Sequence, residues 1–225
     1  MPKNLIALGE ALKIGSSHQR IQSCLTVVLK QMLDCPVNTK KIWHPLGFLM
    51  IKLGSISENE ILRLHIWSDE IRSTQKPTWL IHNHIWILKS HILCGKLTNQ
   101  FYKVTPNEYV ATNKIYKVRY AANKSILIAT NNLVTFAPSN RKKFTKGDTY
   151  CIEPGEFHST EVSENQFTST IVLATSVDLS VANKIENLEP EVIGDLQGND
   201  QYSYHRMACN NNQFTKLIKI LLSKI

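Results

Sequence analysis

The chain has no Cys-x-x-Cys pair, and its five cysteines (Cys24, Cys35, Cys94, Cys151, Cys209) are odd in number and widely spaced. Neither a disulfide framework nor a cysteine-built zinc site is therefore expected, and a reducing compartment is. No run of 18 apolar residues occurs, so no membrane span is expected. Met1-Pro2-Lys3-Asn4 leads into an amphipathic stretch rather than an apolar signal core, and the expected location is cytoplasmic. Low-complexity tracts, internal repeats, a phosphate-binding glycine loop, an EF-hand pattern and a Ser-His-Asp arrangement are all missing. Solenoids, P-loop nucleotide enzymes and serine hydrolases fall away with them.

What is present is ordinary globular material. The 225 residues are 43% hydrophobic and 20% charged, enough to bury a core without staples. The formal charge is +8, from 26 Lys+Arg against 18 Asp+Glu. These basic residues come in short groups, Lys40-Lys41 and Arg141-Lys142-Lys143, not in a long arm. They read as solvated surface, and no nucleic-acid partner is expected.

Periodicity divides the chain into helix, strands and helix. Ser16 and Gln19 have capping-box spacing, Ile21, Leu25, Val28 and Met32 follow on one helical face, and Pro36 ends the helix. His44-Pro45-Leu46-Gly47 introduces a hairpin of residues 48–53 and 61–67. Strands are then predicted over 78–86, 91–97, 100–105, 115–120, 125–130, 133–137, 149–153, 159–162 and 167–177. Many short strands with no helix between them argue for a sandwich or barrel. Residues 180–188 read as a short helix and 190–212 as polar and unassigned. The end is an amphipathic helix with Phe214, Leu217, Ile218, Leu221, Leu222 and Ile225 on one side and Lys216, Lys219 and Lys224 elsewhere. It is expected to pack on its own barrel; a membrane or partner surface is the alternative.

The chemistry-bearing residues are histidines. His82 and His84 are two apart, so on a strand both project from one face. His158 follows a Pro154-Gly155 turn and can close a three-nitrogen site from a neighbouring strand. Three neutral imidazoles accept Fe(II), Zn, Ni or Cu. On 61–67, Arg63, His65 and Trp67 alternate with Leu62, Leu64 and Ile66. The polar set is expected toward solvent, unless the barrel interior is itself the site, where Arg63 would grip a substrate carboxylate. Cys94 and Cys151 are expected to be buried hydrophobes. Tyr116 and Tyr120 share a face and read as core, with cavity wall as the alternative. Glu153 beside the turn is a candidate general base, with a solvated loop residue as the plainer reading.

His82-Asn83-His84 with Gly95, and Gly147-Asp148 with Pro154-Gly155 and His158, resemble the two sequence motifs of the cupin superfamily. The resemblance covers about residues 78–177 and implies a mainly β fold: an antiparallel cupin β-barrel, or jelly roll, with N- and C-terminal helices. It implies a helical extension over 1–43, a barrel over 44–178 and a C-terminal segment over 179–225 packed on that barrel. In this alignment the family's carboxylate ligand position holds Lys89, which cannot ligate without losing its proton. His91, two residues on, becomes a candidate fourth ligand or supporting base. The three-histidine metal cupins include the thiol dioxygenases, but no Ser-x-His-x-Tyr run follows His158, the next histidine being His205. The resemblance thus implies a mononuclear metal enzyme, first an iron-dependent dioxygenase taking O2 and a small polar, thiol or amino-acid-like substrate. Arg63, His65 and Glu153 are the catalytic candidates. A non-oxidative isomerase or lyase, and a non-catalytic cupin binding a small molecule or partner, are the alternatives; a homodimer through barrel edges fits the family.

Overall fold

The computed structural model describes residues 2–36, 39–121, 123–176 and 189–225. The helix expected over 180–188 lies outside them. Two helices open the chain, α1 (Pro2–Lys13) and α2 (His18–Asp34). The cap of α2 is Ser17, whose Oγ accepts the Arg20 N–H at 3.4 Å, one residue beyond the expected Ser16. Ser16 is committed elsewhere: its N–H closes the end of α1 on the Ala11 carbonyl at 2.9 Å.

The strands are β1 (Lys40–Trp43), β2 (Leu49–Ser57), β3 (Glu60–Trp67), β4 (Trp86–Cys94), β5 (Lys96–Pro106), β6 (Asn113–Ala121) and β7 (Lys124–Thr145). They continue with β8 (Thr149–Ile152), β9 (His158–Glu161), β10 (Thr168–Ser176), β11 (Glu191–Asp195), β12 (Gln201–His205) and β13 (Met207–Ala208), before the helix α3 (Asn211–Lys224). They form two sheets, one ordered β13-β1-β2-β3-β10-β4-β8 and the other β11-β6-β7-β5-β9, with β12 beside β7. Every described pairing is antiparallel. The sheets face one another: Trp86, Leu88, Tyr150, Ile152, Val172 and Ala174 of the first pack with Phe101 of the second. This is the cupin-type β-barrel arrangement. The chain crosses between sheets at Gly95, whose φ of +77° and approach to the Thr168 Cα, 2.8 Å from an added Cβ, admit only glycine.

Four expectations change. The strand expected over 91–97 is interrupted at Gly95, where β4 ends and β5 begins. The strands expected over 125–130 and 133–137 are one 22-residue strand, β7. Asn131-Asn132 does not turn the chain; it sits in an irregularity of the β6–β7 ladder, where Thr130 Oγ1 donates to the Ile115 carbonyl at 2.9 Å. The polar stretch read as unassigned supplies β11, β12 and β13. Residues 78–85 are extended but form no continuous ladder, because their backbone bonds are divided between β9 and β11.

The main apolar core lies outside the barrel, between the helices and the first sheet. From β3 it takes Leu62, Leu64 and Ile66; from α2, Ile21, Leu25, Val28, Leu29 and Met32; from α3, Phe214, Leu217, Ile218 and Leu221. Each such side chain, fully buried, contributes about 1.5–3 kcal/mol. α3 thus packs on its own barrel, capped by Asn210, whose Oδ1 accepts the Gln213 N–H at 2.9 Å. With the helices covering one face of β3, alternation turns Arg63, His65 and Trp67 to the other, into the barrel.

Candidate metal centre

Two segments 76 residues apart in sequence make the site. The His82 N–H donates to the His158 carbonyl at 3.0 Å and the His158 N–H to the His82 carbonyl at 2.9 Å. The Gly155 N–H, in a turn whose glycine has φ +79°, donates to the His84 carbonyl at 2.9 Å. On the other side the Asn83 N–H donates to the Glu191 carbonyl at 3.0 Å. The Asn83 side chain, 4% exposed, completes the clamp: its Nδ2 donates to Glu191 Oε2 at 3.0 Å and its Oδ1 accepts the Glu191 N–H at 2.7 Å. His82 and His84 are thereby held with β9 on one side and β11 on the other.

The result is a triangle of imidazoles. Ring centroids stand 4.8 Å apart for His82–His84, 4.6 Å for His82–His158 and 5.1 Å for His84–His158. Their ligand atoms lie within 4.8 Å of one another. Nitrogens at about 2.1 Å from one ion stand about 3 to 3.5 Å apart, a contraction that small side-chain rotations supply. His82 Nδ1 contacts the Leu80 carbonyl at 2.8 Å and His158 Nδ1 the Glu156 carbonyl at 3.0 Å. Only an N–H can face a carbonyl, so both rings carry their proton on Nδ1 and offer a bare Nε2. Burial, then the neighbouring imidazole of His82, holds His158 down to about 3 and His84 well below its usual range; burial lowers His82 too. Neutral nitrogen donors with backbone acceptors behind them are what a divalent metal requires. The residues present fit such an ion.

The other predicted residues fall into two groups. Arg63 and His65 are inside. Arg63 lies 4.7 Å from the Trp86 ring, and its charge depresses His84, His65 and His44. His65 packs between Phe48 and Trp67 at 4.8 and 5.9 Å, and burial followed by the Arg63 charge holds it at about 3. Outside lies His91, the candidate fourth ligand, in register with Ile171 on the helix-covered face. It is 2% exposed, with Nε2 2.8 Å from His18 Nδ1 and Nδ1 2.8 Å from Thr149 Oγ1. Lys89 faces the same way, donating to the Lys13 carbonyl at 2.8 Å. Neither reaches the imidazole triangle: on β4 it is Leu88 and Ser90, not residues 89 and 91, that turn inward. Glu153 is exposed in the turn, and Cys151, expected to be buried, is exposed as well.

Sequence reasoning overlooked His44 and Arg206 and placed Tyr120 among the core. His44 Nδ1 accepts the Leu46 N–H at 3.2 Å, which leaves the proton of its neutral ring on Nε2. Burial first, then the charges of His82, His65, Arg63 and Arg206, keeps it neutral. Arg206 stacks 4.8 Å over the Tyr120 ring. Tyr120, read as core, is 55% exposed, while Tyr116 on the same face is fully buried.

No protein-family model matches the chain, and no curated protein matches it. Among solved structures it is similar to the polyketide cyclase RemF of Streptomyces resistomycificus: 14% identity over 62% of this chain and 75% of that one, TM-score 0.35. It is similar to a cupin-like protein of Thermotoga maritima, at 11% identity over 80% and 94%, TM-score 0.34. A third is the Streptomyces nucleoside dehydratase Pac13, at 6% identity over 78% and 90%, TM-score 0.29. These are likenesses of outline. The two facing antiparallel sheets and the three histidines at their junction define a cupin-type barrel with a candidate metal centre.

Proposed function

We propose that this chain is a mononuclear metal-dependent cupin enzyme acting on a small polar molecule, and that its metal is Fe(II), used for oxygen-dependent oxidation. The observation that carries the reading is the convergence of three neutral imidazoles with no described carboxylate among them. Bound Fe(II) would supply the redox chemistry, with coordination positions left open by a three-nitrogen set.

The chain's own residues supply the rest. Leu80 and Glu156 carbonyls fix the His82 and His158 rings, so the ligands are arranged before anything binds. Trp86 lies against Arg63, and Phe48 against Trp67, which gives the inward row of β3 aromatic neighbours. Arg63 presents a planar cation for an acidic substrate group. His44 holds a proton at Nε2, a donor available to a substrate oxygen.

That donor also favours a second reading, an isomerase or lyase in which a bound metal would supply Lewis-acid polarisation and the His44 Nε2–H would donate a hydrogen bond to the substrate oxygen that gains charge. The two readings part experimentally. Anaerobic reconstitution with Fe(II), followed by O2-uptake assays with small thiols and amino acids, should give substrate-dependent uptake on the oxidative reading. Protein that isolates with zinc and consumes no O2 in any assay contradicts that reading and leaves the Lewis-acid one.

A further inference from the structure

We infer that the barrel interior carries a two-arginine anion subsite, formed by Arg63 and Arg206 around Tyr120, and that the ligand is a small dianion, a dicarboxylate or a phosphate ester. The inference rests on the enzymatic reading above for its setting and goes beyond it in naming the substrate class.

The argument begins with what Arg63 lacks. It comes from the middle of β3 in register with Val172 of β10, on the inward row, and it is half-buried against the Trp86 ring at 4.7 Å. Among the described residues it forms no ion pair and no hydrogen bond. A partly buried guanidinium with five donors and no acceptor has given up water for little return, unless a ligand supplies the acceptors. Next along the same face, His65 Nε2 and Thr170 Oγ1 are buried and have no partner among the described residues, although His65 and Thr170 stand opposite one another in the ladder. Three neighbouring side chains are thus left unsatisfied on one inner wall.

Arg206 brings a second fork from a different part of the chain. Its backbone N–H is tied to the Asn123 carbonyl at 2.9 Å and its Nε to Ser125 Oγ at 3.4 Å, and its ring partner is Tyr120 at 4.8 Å. Its terminal nitrogens make no bond among the described residues. Burial pushes the Tyr120 hydroxyl up, and the charges of Arg63 and Arg206 both oppose that push. Arg63 thus projects from the inward row of β3, and Arg206 stacks on the 55%-exposed Tyr120 ring.

The charge count sets the ligand class. Three imidazole ligands bring no negative charge to a divalent ion, and the two arginines add two more positive charges. The acids that flank the histidine segment are engaged elsewhere: Glu191 accepts from Asn83 Nδ2, and Glu156 accepts the Glu153 N–H at 2.8 Å. A neutral substrate would leave this field uncompensated; a dianion neutralises both forks by paired N–H···O contacts, the geometry that arginine makes with carboxylate and phosphate oxygens.

The test is calorimetric titration of malonate, and separately of inorganic phosphate, into full-length His82→Ala/His158→Ala protein, in which the metal ligands are gone. Acetamide is the neutral control. Saturable binding of at least one dianion is expected, weakened about tenfold or more by adding Arg63→Gln or Arg206→Gln. Arg63→Lys, which keeps the charge but not the fork, should weaken it too, and circular dichroism checks that each variant is folded. Should a Gln variant unfold, the corresponding Lys variant decides. Tighter malonate assigns a dicarboxylic acid, and tighter phosphate a phosphate ester. No saturable binding, or binding unaltered by the arginine substitutions, overturns the inference. Because no metal ligand remains, the outcome is independent of whether the wild-type protein binds a metal.

Discussion

His82 and His158 exchange both of their backbone hydrogen bonds, at 3.0 and 2.9 Å, and their rings stand 4.6 Å apart. An antiparallel pair bonded in this way places its two side chains on the same side. The closeness of the rings is therefore a property of the backbone pairing.

The first prediction concerns Asn83, which does not touch the metal position. It ties the histidine segment to β11 through Glu191 by two side-chain bonds, at 3.0 and 2.7 Å. Asn83→Ala should lower metal affinity about 10- to 100-fold, the usual effect of losing a group that orients ligands. Competition against a chromogenic chelator measures it, and unchanged affinity would remove Asn83 from the account.

The second concerns Lys89. Aligned by motif, it holds the place of a missing carboxylate ligand, and Lys89→Glu would then create a fourth ligand. In the fold its ammonium donates to the Lys13 carbonyl on the helix side of the sheet. Lys89→Glu should leave metal affinity and metal preference unaltered, while cutting one contact to α1. A tighter metal site in this variant would contradict the placement of β4.

The third is a pH dependence. Burial, then the charge of His18, holds His91 down to about 4. An unfolded histidine takes up its proton near 6.5. The native pKa is depressed, so the stability associated with His91 is fully present above about 6.5 and is lost as pH falls from there through about 4. His65 and His158, both held at about 3, add to the same slope. Melting temperature should fall with pH across this window. His91→Leu should flatten part of the decline without abolishing it; an unchanged slope would mean that His91 does not titrate as described.

Much of this architecture was legible in sequence for local reasons. Alternation marked β3, a Pro-Gly turn marked the approach to His158, and the spacing of Ile21, Leu25, Val28 and Met32 marked α2. What alternation does not say is which of two faces a helix covers. Arg63 and His65 were therefore expected toward solvent, and only the packing of α1, α2 and α3 on Leu62, Leu64 and Ile66 turns them inward. The same ambiguity, run the other way, put His91 near the histidine pair when it lies across the sheet from it. Asn131-Asn132 carries a turn signature, yet β6 pairs with β7 both before it, up to Ala129, and after it, from Leu133, and keeps the strand running through. β11 to β13 are polar and short, and their pairing is decided by strands far off in sequence. His44 offered one signal, standing directly before the Pro45-Leu46-Gly47 turn; Arg206 offered none.

The central claim is that His82, His84 and His158 hold one divalent metal ion. Elemental mass spectrometry on tag-free protein, wild type beside His82→Ala/His158→Ala, tests it most directly. The account predicts close to one metal ion per chain in the wild type and loss of that metal in the variant, with iron favouring the oxidative reading. Equal metal content in the two proteins, or none in the wild type even after reconstitution, would contradict it.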